Sequence, residues 1–376
     1  MQFSFSDEQD QFRAIIQRFL REKSPTTEVR RLMATERGYD SEVWRQLAEQ
    51  LGLPAIHIPE VHGGSGFGPV ELCIVMEEFG RYLLCAPYFA SSVLATTAIM
   101  NGATAAEQAE LLPPIASGGQ IATLAFTEPN GRWDATGVEL TADLSGADYL
   151  LSGTKSFVLD GCSAELLIVV AREPGTSGSQ GLSFFRVEPD AAGLVREQLQ
   201  SMDATRKLAR LTFTNTPGIL LGESGNAAPA LSRTLSLAAI ALANEMAGGA
   251  QALLDSAVSY AKMRVQFGRT IGSFQAIKHK CADMLLEVES AKSAAYYAAQ
   301  AAADNDSDLP ALASLAKACA SDAYMNTAAN CIQIHGGIGF TWENDTHLWF
   351  KRAKSSEAFL GGPSYHRELL MQNREL

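Results

Sequence analysis

Residues Tyr260–Met284 read YAKMRVQFGRTIGSFQAIKHKCADM. The flanking sequence is Ala-rich with helical spacing, and the pattern breaks at Gln266-Phe267-Gly268 and again at Ile271-Gly272. Glycine is the usual residue where a helix ends in a left-handed turn, so the string predicts a junction between two long helices. Working outward, helical stretches cover roughly 231–267, 273–304, 309–334 and 345–360, a composition suited to closely packed antiparallel helices in a bundle. A second glycine-rich break, CIQIHGGIGFTWE, occupies Cys331–Glu343.

Toward the N-terminus the period changes. Between Ile121 and Leu221 lie short runs such as IATLAF, DYLLSGTKSFVLD, AELLIVVA, GLSFFRV and LARLTFTN, separated by Gly, Asp, Ser and Pro. Closely spaced runs of this kind predict a small β-barrel or sandwich. Before Ile121 the chain reads as helical. Ser6 with Glu8 and Gln9 opens a helix whose apolar positions are Phe12, Ile15, Ile16, Phe19 and Leu20. SEVWRQLAEQLG stops at Gly52, and the loop IPEVHGGSGFGP precedes a further helix in VELCIVMEEFGR. The expected fold class is therefore α+β. An N-terminal α-helical domain (1–120) is followed by a middle β domain (121–221) and a C-terminal four-helix bundle domain (222–376).

The chain has 376 residues, 47% of them hydrophobic, enough for real cores. The formal net charge of −12 argues against a nucleic-acid footprint, which needs a concentrated basic surface. Six scattered cysteines (Cys73, Cys85, Cys162, Cys281, Cys319, Cys331) show no CxxC and no His pairing, so reduced residues are expected and no metal site. The N-terminal MQFSFSDEQDQF lacks the basic and apolar regions of a signal peptide, and no uninterrupted apolar run reaches membrane-spanning length. A cytoplasmic chain that does not enter the membrane is the expectation.

An isolated QFG or HGG reads first as a helix cap. Gly also lets a backbone approach a phosphate, and a nearby Arg adds a charge-assisted bond. Here both strings, in this order and spacing, resemble the FAD-clamping segments of acyl-CoA dehydrogenases. The resemblance extends over FSDEQ (5–9), IPEVHGGSGFG with EEFGR, TEP (127–129) and MDATR (202–206), and so covers essentially the whole chain. It implies that Arg264 and Phe267 reach the diphosphate of a neighbouring subunit's FAD, with Gln275, Gln333, Gly336 and Gly337 around its adenosine side. Thr127 and Phe157-Val158-Leu159 would face the isoalloxazine. It further implies removal of an α-proton from an acyl-CoA thioester while the β-hydride passes to the flavin, with electrons leaving to an electron-transfer flavoprotein. The assembly would be a homo- or hetero-oligomer, a dimer of dimers.

Several residues depart from the family pattern. Leu360 stands where the commonest members carry their basic Glu, and Ala238 where a second branch carries it. Glu245 follows Ala238 by seven residues, almost two helical turns, and projects from nearly the same face in a small, apolar stretch. It is the candidate base. The alternative for so apolar a setting is a Glu paired with Lys or Arg on a neighbouring helix. Glu357 is expected to pair with Lys354 or Lys351. After TEP the expected Gly-rich turn is replaced by NGRWD, where Arg132 could supply charge for the lost donors. These departures resemble the shorter subunits of heteromeric acyl-CoA dehydrogenases acting on bulky acyl groups. The leading reading is an FAD-dependent acyl-CoA dehydrogenase. The second is a non-catalytic or half-site subunit that completes a partner's FAD site.

Overall fold

The computed structural model describes residues 5–146 and 148–373. Its order is helical, then β, then helical. Helices α1 (Asp7–Lys23), α2 (Thr26–Met33), α3 (Ser41–Glu49), α4 (Pro69–Arg81), α5 (Thr96–Gly102) and α6 (Ala105–Ala116) come first. Ser6 caps α1 as its sequence suggested: the hydroxyl accepts from the Gln9 amide, and the Gln9 side chain returns a bond to the Ser6 N–H at 3.0 Å.

Strands β1 (Ala122–Ala125), β2 (Thr141–Ser145), β3 (Asp148–Leu159), β4 (Leu166–Arg172), β5 (Leu182–Val187), β6 (Leu194–Leu199) and β7 (Leu208–Leu221) follow. Pairing runs β4–β2–β3–β7–β5 and returns from β5 to β4, so the sheet closes into a barrel. Closure leaves no open edge along that ring. β1 adds in parallel to β4, and β6 lies against β7. Leu151, Val158, Leu167, Val169, Phe185, Leu211 and Phe213 belong to the barrel core.

The last part holds α7 (Ala228–Met263), a hairpin of β8 (Val265–Gln266) and β9 (Arg269–Thr270), then α8 (Gln275–Ala303), α9 (Leu309–His335), α10 (Thr346–Ala358) and α11 (Pro363–Asn373). α7 is long and apolar enough to cross a membrane by length and composition, yet 83% of its most apolar window is buried within the protein, as in a core helix.

The chain packs as two compact units. One holds the residues up to Arg30, Pro69–Leu84, and everything from Ala239 on; the other holds Arg31–Gly68 and Cys85–Ala238. In the first unit α1 and α4 pack together and α4 packs on α8. Arg13 of α1 bonds Glu77 and Glu78 of α4 at 2.5 and 3.0 Å, and Tyr296 of α8 donates to Glu77 at 2.8 Å. Gly248 is small for a specific reason: a Cβ there would lie 1.8 Å from the Glu77 carbonyl oxygen. At Gly249 it would meet the Tyr324 hydroxyl at 2.4 Å. These glycines therefore serve close helix packing. All six cysteines are free thiols; Cys73, Cys85 and Cys331 are buried and the others half-buried.

Candidate active site

The 260–284 string folds as a helix end, a tight hairpin and a helix start. Val265 pairs with Thr270 and Gln266 with Arg269, leaving the two-residue loop Phe267-Gly268. In the type I′ form such loops take positive φ at both residues, and the values here are 53° and 75°. Gly268 adopts this freely. Phe267 does not, and its ring is also 92% exposed. An aromatic held in an unfavourable backbone state and left in water is a feature that packing does not explain. Beside it the Arg264 guanidinium is exposed and makes no hydrogen bond or ion pair with the described residues.

Within the first string Ile271 donates its amide to the Arg264 carbonyl at 2.8 Å. Two contacts bring the second glycine-rich string to the same end of the bundle. Lys280 near the start of α8 meets Asn330 near the end of α9 at 2.9 Å. Tyr260 stacks on His335 with ring centroids 4.3 Å apart. Gln275 opens α8 and is exposed, as are Gln333, Gly336 and Gly337 at the end of α9. A Cβ built on Gly336 or Gly337 would meet nothing within 4 Å, so the backbone there is open to a ligand. A free cation, an approachable glycine backbone and exposed amide side chains are the donor set a dinucleotide diphosphate takes.

In the barrel unit, Thr127 and Phe157 are brought together. Ser156 donates its amide to the Thr127 carbonyl at 2.9 Å, and the Thr127 hydroxyl donates to the Ser156 carbonyl at 2.7 Å. On β3 two residues, Ser156 and Phe157, stand between Lys155 and Val158, whereas β7 has one between their partners Leu211 and Ala209. This bulge re-aims Phe157, which has φ 60° and is 42% exposed. Val158 points into the barrel core and Leu159 is also buried, so of those three side chains Phe157 is the open one. Arg132 is exposed on the loop after β1; its amide donates to the Asn130 side chain at 3.0 Å and its guanidinium reaches Thr136 at 3.5 Å.

Glu245 lies about 28 Å along α7 from Arg264 at 1.5 Å per residue. It is buried and meets Arg352 of α10 at 2.6 Å, both side chains being under 5% exposed. That is the paired alternative for this carboxylate, and it leaves the basic role without geometric support. Arg352 is the partner that sequence reasoning missed. The signal was present in LWFKRAKSSEAFL, since an apolar-flanked Glu demands a cation and this helix offers several. Glu357 pairs with Lys354, as its spacing suggested.

Leu360 has φ 61° and is buried. Its segment is held by Lys317 of α9, fully buried, which donates to the Glu357 and Gly361 carbonyls at 3.2 and 3.0 Å. His366 adds a bond to the Leu360 carbonyl at 2.9 Å. Burial first, and then the Lys317 charge, push the His366 imidazole down to about 4. Its folded value thus lies below the ordinary 6.5, and the unfolded chain binds the proton more readily between these values. Stability should be level above pH 6.5 and fall as pH drops from 6.5 to 4, by roughly 3 kcal/mol for this group. Burial places His57 at about 4 as well, so His366→Gln, which keeps a donor for Leu360, should make the acid slope shallower without abolishing it. Denaturant midpoints taken across this range check it, and an unchanged slope would refute it.

Models of the acyl-CoA dehydrogenase N-terminal, middle and C-terminal domains match residues 6–119, 123–216 and 228–374. The chain is 37% identical over 343 residues to acyl-CoA dehydrogenase IpdE2 of Mycobacterium tuberculosis, covering 91% of this chain and 88% of that one. It is 31% identical to IpdE2 of Mycolicibacterium smegmatis over 95% of this chain and 96% of that one. Among solved structures, a variant of the Tcur3481-Tcur3483 steroid ACAD superposes with a TM-score of 0.88 at 32% identity, covering 98% of each chain. Butyryl-CoA dehydrogenase from Megasphaera elsdenii superposes with a TM-score of 0.93 at 28% identity over the full length of both. The chain belongs to the acyl-CoA dehydrogenase family of oxidoreductases.

Proposed function

We propose that this chain is a subunit of an FAD-dependent acyl-CoA dehydrogenase in which it supplies the FAD clamp and a second, different chain supplies the base. The observation that carries this reading is the asymmetry of its residues. Arg264 and Phe267 are exposed at the clamp, and Arg264 makes no ion pair or hydrogen bond with the described residues, whereas Leu360 and Ala238 stand where the family resemblance expects the base and Glu245 is taken by Arg352. When bound, FAD supplies the hydride acceptor for α,β-dehydrogenation of the acyl-CoA. Arg264, Gln275, Gln333, Gly336 and Gly337 would hold the dinucleotide of a neighbouring subunit's FAD, and Thr127, Phe157 and Arg132 would line the flavin side of a separate site on this chain's barrel unit. The likeness to a steroid ACAD named for two chains supports a heteromeric assembly and a bulky acyl group. Electron-transfer flavoprotein is the proposed acceptor.

Co-expression with a homologue that carries the basic Glu is the test. A yellow hetero-oligomer whose flavin is reduced by an acyl-CoA is expected, and a yellow homo-oligomer active alone would overturn the half-site part. In the hetero-oligomer, Arg264→Ala should weaken FAD binding roughly ten- to hundredfold, the value of one charge-assisted bond. Fluorescence titration of released and rebound FAD measures it, and undiminished affinity would remove Arg264 from the clamp.

A further inference from the structure

Two short segments of the barrel unit leave the strand ladder and face each other. β1 pairs with β4 through Ala122–Ala125 and then stops, so Phe126, Thr127 and Glu128 have no ladder of their own. On β3 the pairing with β7 breaks after Lys155 and resumes at Val158, which frees Ser156 and Phe157. Mutual bonds between Thr127 and Ser156 join the two segments.

A buried ion pair sits directly behind them. The Lys155 ammonium, fully buried, donates to the Phe126 carbonyl at 3.2 Å and to the Glu128 carboxylate at 2.6 Å, and so holds the backbone before Thr127 and the side chain after it. The Glu128 carboxylate also accepts the backbone amide of Glu139 on Oε2 and that of Leu140 on Oε1, the oxygen Lys155 holds, each at 2.9 Å. The cation thus ties the end of β1 to the start of the bulge, and the anion ties it to the segment entering β2. A buried ion pair is by itself weak evidence of added stability, and here both charges are also committed to backbone groups. What they add is a fixed geometry for backbone that no sheet controls.

We propose that Lys155 and Glu128 are positioning residues that set Thr127 and Phe157 for contact with the flavin, an inference that rests on the proposed reading of this edge as the flavin side. Neither touches the flavin in this scheme. They act through the backbone they hold.

The test uses the FAD-loaded hetero-oligomer and the same protein stripped of FAD, each as wild type, Lys155→Met and the double variant Lys155→Met/Glu128→Gln. The single variant strands a buried carboxylate and should lose stability. The double variant removes both charges and should melt closer to wild type than the single variant does. Even so, its Ser156 amide should exchange hydrogen at least tenfold faster in the stripped protein, and its flavin absorption bands and reduction potential should shift in the loaded one. Unchanged Ser156 exchange in the double variant would overturn the positioning role. Faster exchange with an unmoved flavin spectrum and potential would instead overturn the assignment of this edge to the flavin, leaving the mechanical part standing. Lys155→Arg, which keeps the cation, should hold Ser156 exchange nearer to wild type than Lys155→Met does; equal acceleration in both would count against the ion pair.

Discussion

Replacing Arg352 by Met should lower folding stability by about 3–5 kcal/mol, because it leaves the Glu245 carboxylate buried without its cation. The pair is 2.6 Å apart with both side chains nearly inaccessible, so neither solvent nor salt can substitute for the lost partner. Glu245→Gln should cost less, since an amide keeps an acceptor for Arg352 and carries no charge. The double variant Glu245→Leu/Arg352→Met should recover much of the loss, because apolar pairs of similar volume are tolerated where ion pairs were buried. Denaturant unfolding of the three variants reads this directly. A wild-type midpoint for Arg352→Met would mean that the contact contributes nothing. The set also addresses chemistry: in the flavin-loaded assembly Glu245→Gln should leave reduction by acyl-CoA unchanged, and a large drop there would restore Glu245 as a base.

The element order was legible because the sequence changes period twice, from helical to alternating near Ile121 and back after Leu221. All the quoted β-type runs contain strands, and Ser6 with Gln9 marked the first helix start. What stayed hidden was any fact that depends on two distant segments. The exclusion of side chains at Gly248 comes from the α4 backbone at Glu77, 171 positions earlier. The β3 bulge is invisible locally, because an extra residue is defined only by what lies opposite it on β7. Lys155, Lys317 and Arg352 were missed because long cations usually lie at the surface, and burial of each depends on acceptors contributed by other elements. The hairpin after α7 and the glycine-rich break after α9 were legible for the opposite reason. Each is local to one short string, and the tight turn at Phe267-Gly268 favours glycine.

Leu360→Glu should give this chain a base of its own. The backbone at 360 adopts a left-handed conformation, φ 61°, that a leucine does not favour and that costs roughly 1–2 kcal/mol. The contacts holding it do not involve the leucine side chain. Lys317 grips the Glu357 and Gly361 carbonyls, and His366 grips that of Leu360 itself. The main chain should therefore keep its course when the side chain changes. A glutamate there would enter a buried site, where desolvation raises a carboxyl pKa toward the range in which it can accept a substrate proton. A positioned base contributes typically 10²–10⁴-fold. In the FAD-loaded hetero-oligomer whose partner's basic Glu has been changed to Gln, Leu360→Glu should raise the single-turnover rate of flavin reduction by acyl-CoA at least a hundredfold. Lys317→Met in the same background should take most of that gain away, because the loop loses the cation that fixes it. If Leu360→Glu folds, binds FAD and leaves the rate at background, the loop no longer presents position 360 to substrate, and the conformation at Leu360 serves packing alone.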